Sequence, residues 1–150
     1  MNRYLLLAVF LLAVVGGGAL IGLLTPPDAW FQQLNKPAFN PPGWLFGPVW
    51  TVLYILIALA GWRIWTRPDG AGLRGFWLGQ MALNFLWSPV FFGWHSLGGA
   101  LLVILALWLT IMAFITRAWS LDRPAALMFL PYGAWVSFAT LLNASIWWLN

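Results

Sequence analysis

The chain has 150 residues, 63% of them apolar and only 7% charged, against roughly 25% charged in a soluble domain. That balance excludes a soluble fold and marks an integral membrane protein. With about 20 apolar residues needed per crossing, the length suits a single all-α bundle of five transmembrane helices and no soluble domain beside it. The net charge of +4 comes from scattered basic residues that form no continuous stripe, so nucleic acid is not an expected partner. The absence of cysteine removes disulfides, thiolate chemistry and cysteine metal sites together.

The first apolar run extends from Tyr4 to Leu24. Arg3, the apolar stretch and the small residues Gly16 to Ala19 have the outline of a signal peptide with a cleavage site. The run outlasts a signal core, however, and the Gly18 to Gly22 spacing suits close helix packing, so a retained span is expected. Residues 25 to 43 form the only long connection, where Asp28 is placed to cap a short amphipathic turn through Trp30, Phe31 and Leu34. Lys36-Pro37-Ala38-Phe39-Asn40-Pro41-Pro42-Gly43-Trp44 reads as a rigid loop able to lid a flat apolar ligand. Pro41 and Pro42 fit the first turn of a helix starting near Trp44.

The second span runs from Trp44 to Trp65, with Trp50 and Tyr54 four apart on one face. Asp69-Gly70 marks the turn into a third span, Leu73 to Trp94, and Gly98-Gly99 loosens the tight turn after His95. The fourth span is Leu97 to Trp119. Asp122 with Pro124 signals the start of the fifth, Pro124 to Leu149.

Polar residues inside apolar spans are costly unless a partner or a wet cavity receives them. Gln80, Asn84, Trp87 and Phe91 recur at helical spacing and place amides and aromatics on one stripe facing the bundle interior. Trp135, Ala139, Leu142 and Asn143 share a face of the fifth span in the same manner. Ser137 is a weaker signal of this kind. Two roles compete for these amides, cavity lining and hydrogen-bonded glue between helices, and both demand burial. A second face of the third span carries Gly75, Gly79 and Ala82, whose small side chains allow close backbone approach and suggest a homodimer contact.

Thirteen tryptophans are present. Trp30, Trp44, Trp62, Trp65, Trp94, Trp119, Trp147 and Trp148 lie near span ends, where indoles anchor at headgroup depth. Trp50, Trp87, Trp108 and Trp135 lie deeper. Trp108 stands among aliphatics and reads as packing, whereas the other three, with Tyr54 and Phe91, are suited to walling a planar ligand.

These segments resemble the TspO/MBR family, the tryptophan-rich sensory proteins related to the mitochondrial translocator protein or peripheral benzodiazepine receptor. The resemblance is carried by Asn40-Pro41-Pro42-Gly43-Trp44, by Gly47-Pro48-Val49-Trp50 on to Tyr54, and by Gly79-Gln80-Met81-Ala82-Leu83-Asn84 with Trp87-Ser88-Pro89. Pro131-Tyr132-Gly133-Ala134-Trp135 and Ala139-Thr140-Leu141-Leu142-Asn143 complete it. It implies a commonly dimeric five-helix bundle in a bacterial membrane, with a pocket beneath the first loop for protoporphyrin IX, haem and benzodiazepine-type ligands. By motif, Trp50, Asn84, Trp87, Trp135, Ala139 and Leu142 line that pocket; Phe39 on the loop, Tyr54, Phe91 and Asn143 complete the expected ligand-binding set. The family also implies light-dependent porphyrin breakdown, a role that falls on Trp50 and Trp135. Ala38 departs from relatives that carry an aromatic there, which implies weaker ligand capture. Residues 144 to 150 lack the Tyr and Arg of the animal sterol motif.

Conventional catalysis finds few residues to carry it: there is no glutamate, and the aspartates sit at loops or span ends. No resident cofactor or metal centre is expected, since a lone His95 reads better as an interfacial residue than as a haem ligand. Lys36, the only lysine, lies in a loop where no Schiff base is buried. A tetrapyrrole receptor is the leading reading. A tetrapyrrole transporter and a structural or partner-binding membrane protein are the alternatives; five spans do not divide into equal inverted repeats and no charged relay crosses the bilayer, which disfavours transport.

Arg3, Arg63, Arg67, Arg74, Arg117 and Arg123 fall on one side of five spans and Lys36 on the other. The positive-inside rule then puts the N-terminus in the cytoplasm and the long loop and C-terminus opposite. A cytoplasm-active reporter is expected to work when fused at the 2–3 loop and to fail at the C-terminus; the reverse pattern would invert the topology.

Overall fold

The structure is a computed structural model covering residues 1–150, helical throughout and without strands. Helix α1 (Arg3–Leu11) runs through a π turn (Leu12–Gly16) into α2 (Gly17–Leu24) as one continuous rod. The short α3 (Ala29–Gln33) stands in the first loop, and a 3-10 turn (Gly43–Leu45) leads into α4 (Phe46–Thr66). Helix α5 (Ala71–Ser88) continues through a second π turn (Pro89–Gly93), and α6 (Leu97–Leu121) and α7 (Arg123–Leu149) complete the bundle.

Four of these rods are long and apolar enough to cross a membrane: Arg3–Leu24, Gly43–Thr66, Leu97–Leu121 and Arg123–Leu149. Helix α5 is not among them. Its 18 residues include Arg74, Gln80, Asn84 and three glycines, which dilute its hydropathy, so the expected count of five crossings is met by four rods on these criteria and α5 has to be argued from its packing.

Each start signal works by satisfying helix N–H groups that have no partner within the helix. Asn2 accepts from Tyr4, Asp28 from Phe31, Ser96 from Gly99 and Asp122 from Ala125, at 2.9 to 3.1 Å. Pro42 is the extended residue that precedes the turn into α4. Helix α7 packs chiefly on α6 and α4, and α5 on α6. Phe114 and Phe129 stack at 4.1 Å in the buried centre, beside Ile57, Ile64, Ile111 and Tyr132. Gly18 lets the first rod touch the Tyr54 ring, and Gly61 leaves space filled by Trp77 and Phe10. Gly22 faces open space, so the close approach expected at the Gly18 to Gly22 pair is made at Gly18, with Gly17 against Phe85.

The arginine-rich end is held by one buried carboxylate. Asp122, its side chain 1% exposed, caps α7 and pairs with Arg63 Nε at 3.1 Å and with Arg67 Nη1 at 3.7 Å. Arg67 also bonds Asp69 twice, at 2.9 and 3.0 Å, which holds the Asp69 carboxyl below its usual range and raises the Arg67 guanidinium. Asp122→Ala is expected to cost about 2–3 kcal/mol, a cap plus a buried charge pair discounted for the partly exposed arginines. Asp122→Asn should cost less because its amide oxygen still caps α7. Thermal denaturation in detergent measures both.

Candidate functional site

The helical period of α5 aligns Gln80, Asn84, Trp87 and Phe91, and the structure turns that stripe inward: Gln80, Asn84 and Phe91 are buried and Trp87 half-buried. Tyr132 on α7 is the hub of the amides. Its hydroxyl donates to Gln80 Oε1 at 2.7 Å and accepts from Asn84 Nδ2 at 2.7 Å, while Tyr54 on α4 donates to Asn84 Oδ1 at 3.1 Å. Gln80 Nε2 then donates to the Trp77 carbonyl at 2.8 Å. A second link lies nearer the loop, where Trp87 Nε1 donates to Asn143 Oδ1 at 3.0 Å and Asn143 Nδ2 to the Leu97 carbonyl at 3.1 Å. Amides and aromatic donors therefore join α4, α5, α7 and the start of α6.

The expected aromatic wall falls into two groups. Trp50 lies on Tyr54 at 5.3 Å and meets Tyr132 edge-on at 6.3 Å. Trp135 meets Phe46 at 5.8 Å and Phe138 at 5.5 Å, and Phe39 from the loop meets Phe138 at 6.0 Å. Ala38 beside it is exposed, so Phe39 is the loop's aromatic contribution. Phe91 and Leu142 sit in a smaller buried cluster with Val90, Ala100 and Ile146, covered by Trp30, Phe31 and Leu34 of the loop. Ala139 is half-buried against the main core beside Trp135.

Between α4 and α7 an open apolar groove of about 630 Å³ is lined by Pro48, Val49, Val52, Leu53, Pro131, Ala134, Trp135 and Phe138. The Trp135 Nε1 is shielded from solvent yet has no acceptor. Every other indole treated as lying deep in a span, apart from Trp50, has a polar partner; even Trp108, expected as plain packing, donates to Ser137 Oγ at 2.7 Å. Ser137 in turn donates to the Gly133 carbonyl at 2.7 Å. On the small-residue face of α5, Gly75 and Ala82 are exposed and Gly79 approaches only Thr110 of α6.

His95 stacks on Trp30 of the first loop, outside the α4–α7 groove. Its Nε2 lies 2.9 Å from Asp28 Oδ2 and is committed to that carboxylate. Reasoning from sequence passed over two side chains of the interior. Trp77 is buried, donates to the Ile57 carbonyl at 3.0 Å and packs edge-on against Phe10 and Trp65. Tyr132 was visible only as part of a motif, although a hydroxyl amid an apolar helix itself signals buried partners.

Comparison with known proteins follows this geometry. The model of the TspO/MBR family matches residues 9–149. Protein CrtK of Rhodobacter capsulatus is 42% identical over 149 residues, covering 97% of this chain and 92% of that one. The tryptophan-rich sensory protein of Cereibacter sphaeroides is 40% identical over 151 residues, covering 100% and 95%. The translocator protein of Homo sapiens is 39% identical over 124 residues, covering 79% and 73%.

Tyr132→Phe deletes the hydroxyl that serves both amides and leaves two buried polar atoms short of a partner. A loss of about 1–3 kcal/mol is expected, at the lower end if the amides re-pair within the membrane. Trp108→Phe, which removes one bond at the periphery, should lose much less; thermal unfolding in detergent ranks the two.

Proposed function

The chain belongs to the TspO/MBR family, and from that premise, with the groove at Trp135, we propose a membrane receptor for flat, largely apolar tetrapyrroles such as protoporphyrin IX or haem. The observation that carries the reading is the buried Trp135 Nε1 with no acceptor. An unpaired buried donor costs about 1–3 kcal/mol, which a ligand acceptor at that point recovers. A carboxylate or carbonyl on the rim of an aromatic ring system supplies one. The groove is open along its length, so it offers one apolar face to a flat ligand rather than an enclosing cavity.

In this reading the ligand plane lies against Trp135 and Phe138, with Phe39 closing from the loop and Phe46 behind. Of the expected ligand-binding set only Trp135 lines the groove itself. Trp50, Tyr54, Asn84, Trp87, Phe91, Ala139, Leu142 and Asn143 pack behind it and would meet a ligand only if it entered deeper than the groove. Benzodiazepine-type ligands, smaller and also flat, fit the same chemistry. The protein crosses the membrane five times with α5 as the polar, shielded member, its N-terminus cytoplasmic, and pairs with a second copy through Gly75, Gly79 and Ala82.

One observation favours a second, structural reading. The amides of α5 are already paired inside the protein, so they require no ligand. Transport, suggested by the printed name of the human relative, finds less support, because charged side chains stand at the helix ends and form no relay across the bundle.

Titrating protoporphyrin IX in the dark into the detergent-purified protein should give saturable quenching of tryptophan fluorescence in the micromolar range. Trp135→Phe keeps the ring but loses the N–H and should bind about 5–10-fold more weakly; Trp135→Ala should bind more weakly still. Non-saturable quenching equal in all three would mean partition into detergent and would hand the lead to the structural reading.

A further inference from the structure

The turn between α5 and α6 contains the only non-glycine residue in the left-handed region, His95 at φ 54°. Histidine is among the residues that tolerate this region, though it remains uncommon there. The conformation aims the imidazole back at the first loop. The ring lies parallel to the Trp30 indole, 4.1 Å between centroids and 12° between planes, while Nε2 lies 2.9 Å from Asp28 Oδ2.

Asp28 uses its other oxygen to cap α3, accepting from Phe31 N–H at 3.1 Å. That bond first, and His95 after it, keeps the Asp28 carboxyl below its usual range. One carboxylate thus ties the short helix to the turn. The surrounding contacts run the same way: Trp30 and Phe31 each meet Phe91 edge-on at 6.0 Å, and Thr25 Oγ1 lies 2.7 Å from Ser88 Oγ. The bundle itself does not need this fastening, since α3 lies outside the main core.

We propose that His95 is a positioning residue which, with Asp28 and Trp30, latches the 25–43 loop over the end of the bundle, and that its protonation sets how long a ligand beneath the loop is retained. The latch stands on geometry alone; its effect on ligand rests on the tetrapyrrole reading above. The charges facing the imidazole are few. Asp28 comes from the loop, the segments Pro89–Gly93 and Leu97–Ala100 contribute none, and Lys36 is turned away, its Nζ 4.6 Å over the Phe31 ring and bonded to the Gln32 and Leu34 carbonyls.

The sign follows from the partners. An imidazolium makes an ion pair with the carboxylate and a cation–π contact with the indole, whereas a neutral ring retains one hydrogen bond and plain stacking. Gain of the imidazole proton therefore strengthens both contacts, and the latch tightens as pH falls. The Asp28 contribution is lost only as pH falls through its lowered value, so the latch opens again only in acid below the usual carboxylate range.

The cysteine-free chain accepts a single Ala38→Cys at an exposed loop position for a spin label. Label mobility is measured without ligand at pH 5.5 and 8.0, followed by dissociation of protoporphyrin IX at both values. In the native background, mobility should rise and dissociation should quicken about 3–10-fold at the higher pH. His95→Asn tolerates the left-handed backbone and Asp28→Asn still caps α3; each should give the fast, mobile behaviour at both values. His95→Gly, free of backbone strain, serves where Asn disturbs the turn. Mobility equal at both values in the native background, and unchanged by the variants, would overturn the latch. The expected label response in a protein that does not bind porphyrin would uphold the latch and overturn the receptor reading.

Discussion

The Tyr132 hydroxyl is the interaction on which the bundle depends. In a hydrocarbon interior no water relieves an unpaired amide, so Gln80 and Asn84 determine how α5 sits only if something receives them. Tyr132 receives both, and Tyr54 completes Asn84. The result locks the rotation of three helices at once: turning α5 by one residue would carry both amides into lipid or against aliphatic side chains. This accounts for the inward-facing stripe of α5 despite the weakest hydropathy of the long helices, while Gly75, Leu78, Ala82 and Leu86 remain exposed on its other face. Its polarity is spent inside.

From that lock the candidate site inherits its shape. Helix α7, held by Tyr132 on one face, presents Trp135 one residue past the turn that carries Pro131 and Gly133, and α4, held by Tyr54, presents Pro48 and Val49 opposite. The interior amides are saturated while the Trp135 indole at the groove is not. The paired hydroxyl of Tyr132 and the unpaired indole of Trp135 are therefore separated by about one helical turn. Of the two roles weighed for the polar residues, the α5 amides take the structural one, bonded between helices.

Much of this was legible in the sequence, and the reasons are specific. Asp28 and Asp122 announced their helix starts because capping is local chemistry that needs no tertiary knowledge, whereas Pro41 and Pro42, expected in the first turn, stand just before it, with Pro42 extended. The inward stripe of α5 was legible because a period of 3.6 is enforced by backbone geometry. Which partner receives an amide was not, since Tyr132 lies far along the chain from Gln80 and Asn84, and nothing local pairs them. The α4–α7 groove was illegible for the same reason, being a property of two helices rather than of either. Trp77 was not assigned a role, because nothing local to it reveals that the first rod folds over it through Phe10 and that its N–H meets the Ile57 carbonyl. Gly22 was over-read: small-residue spacing permits close packing but does not supply the neighbour.

The two ends of the bundle are built to different standards of rigidity. At the arginine end a nearly inaccessible carboxylate joins α4 to α7 and caps a helix, and opening it strands charge. At the loop end the fastenings are individually weak: the exposed His95 to Asp28 contact, a half-buried hydroxyl pair at Thr25 and Ser88, and the exposed amide stitch between Asn35 and Asn150 at 2.9 and 3.1 Å. Each has water as a ready substitute, so each opens at little cost, and none disturbs the Tyr132 lock when it does. Local opening is therefore expected to cost less at the loop end than at the arginine end, where it would strand a buried charge.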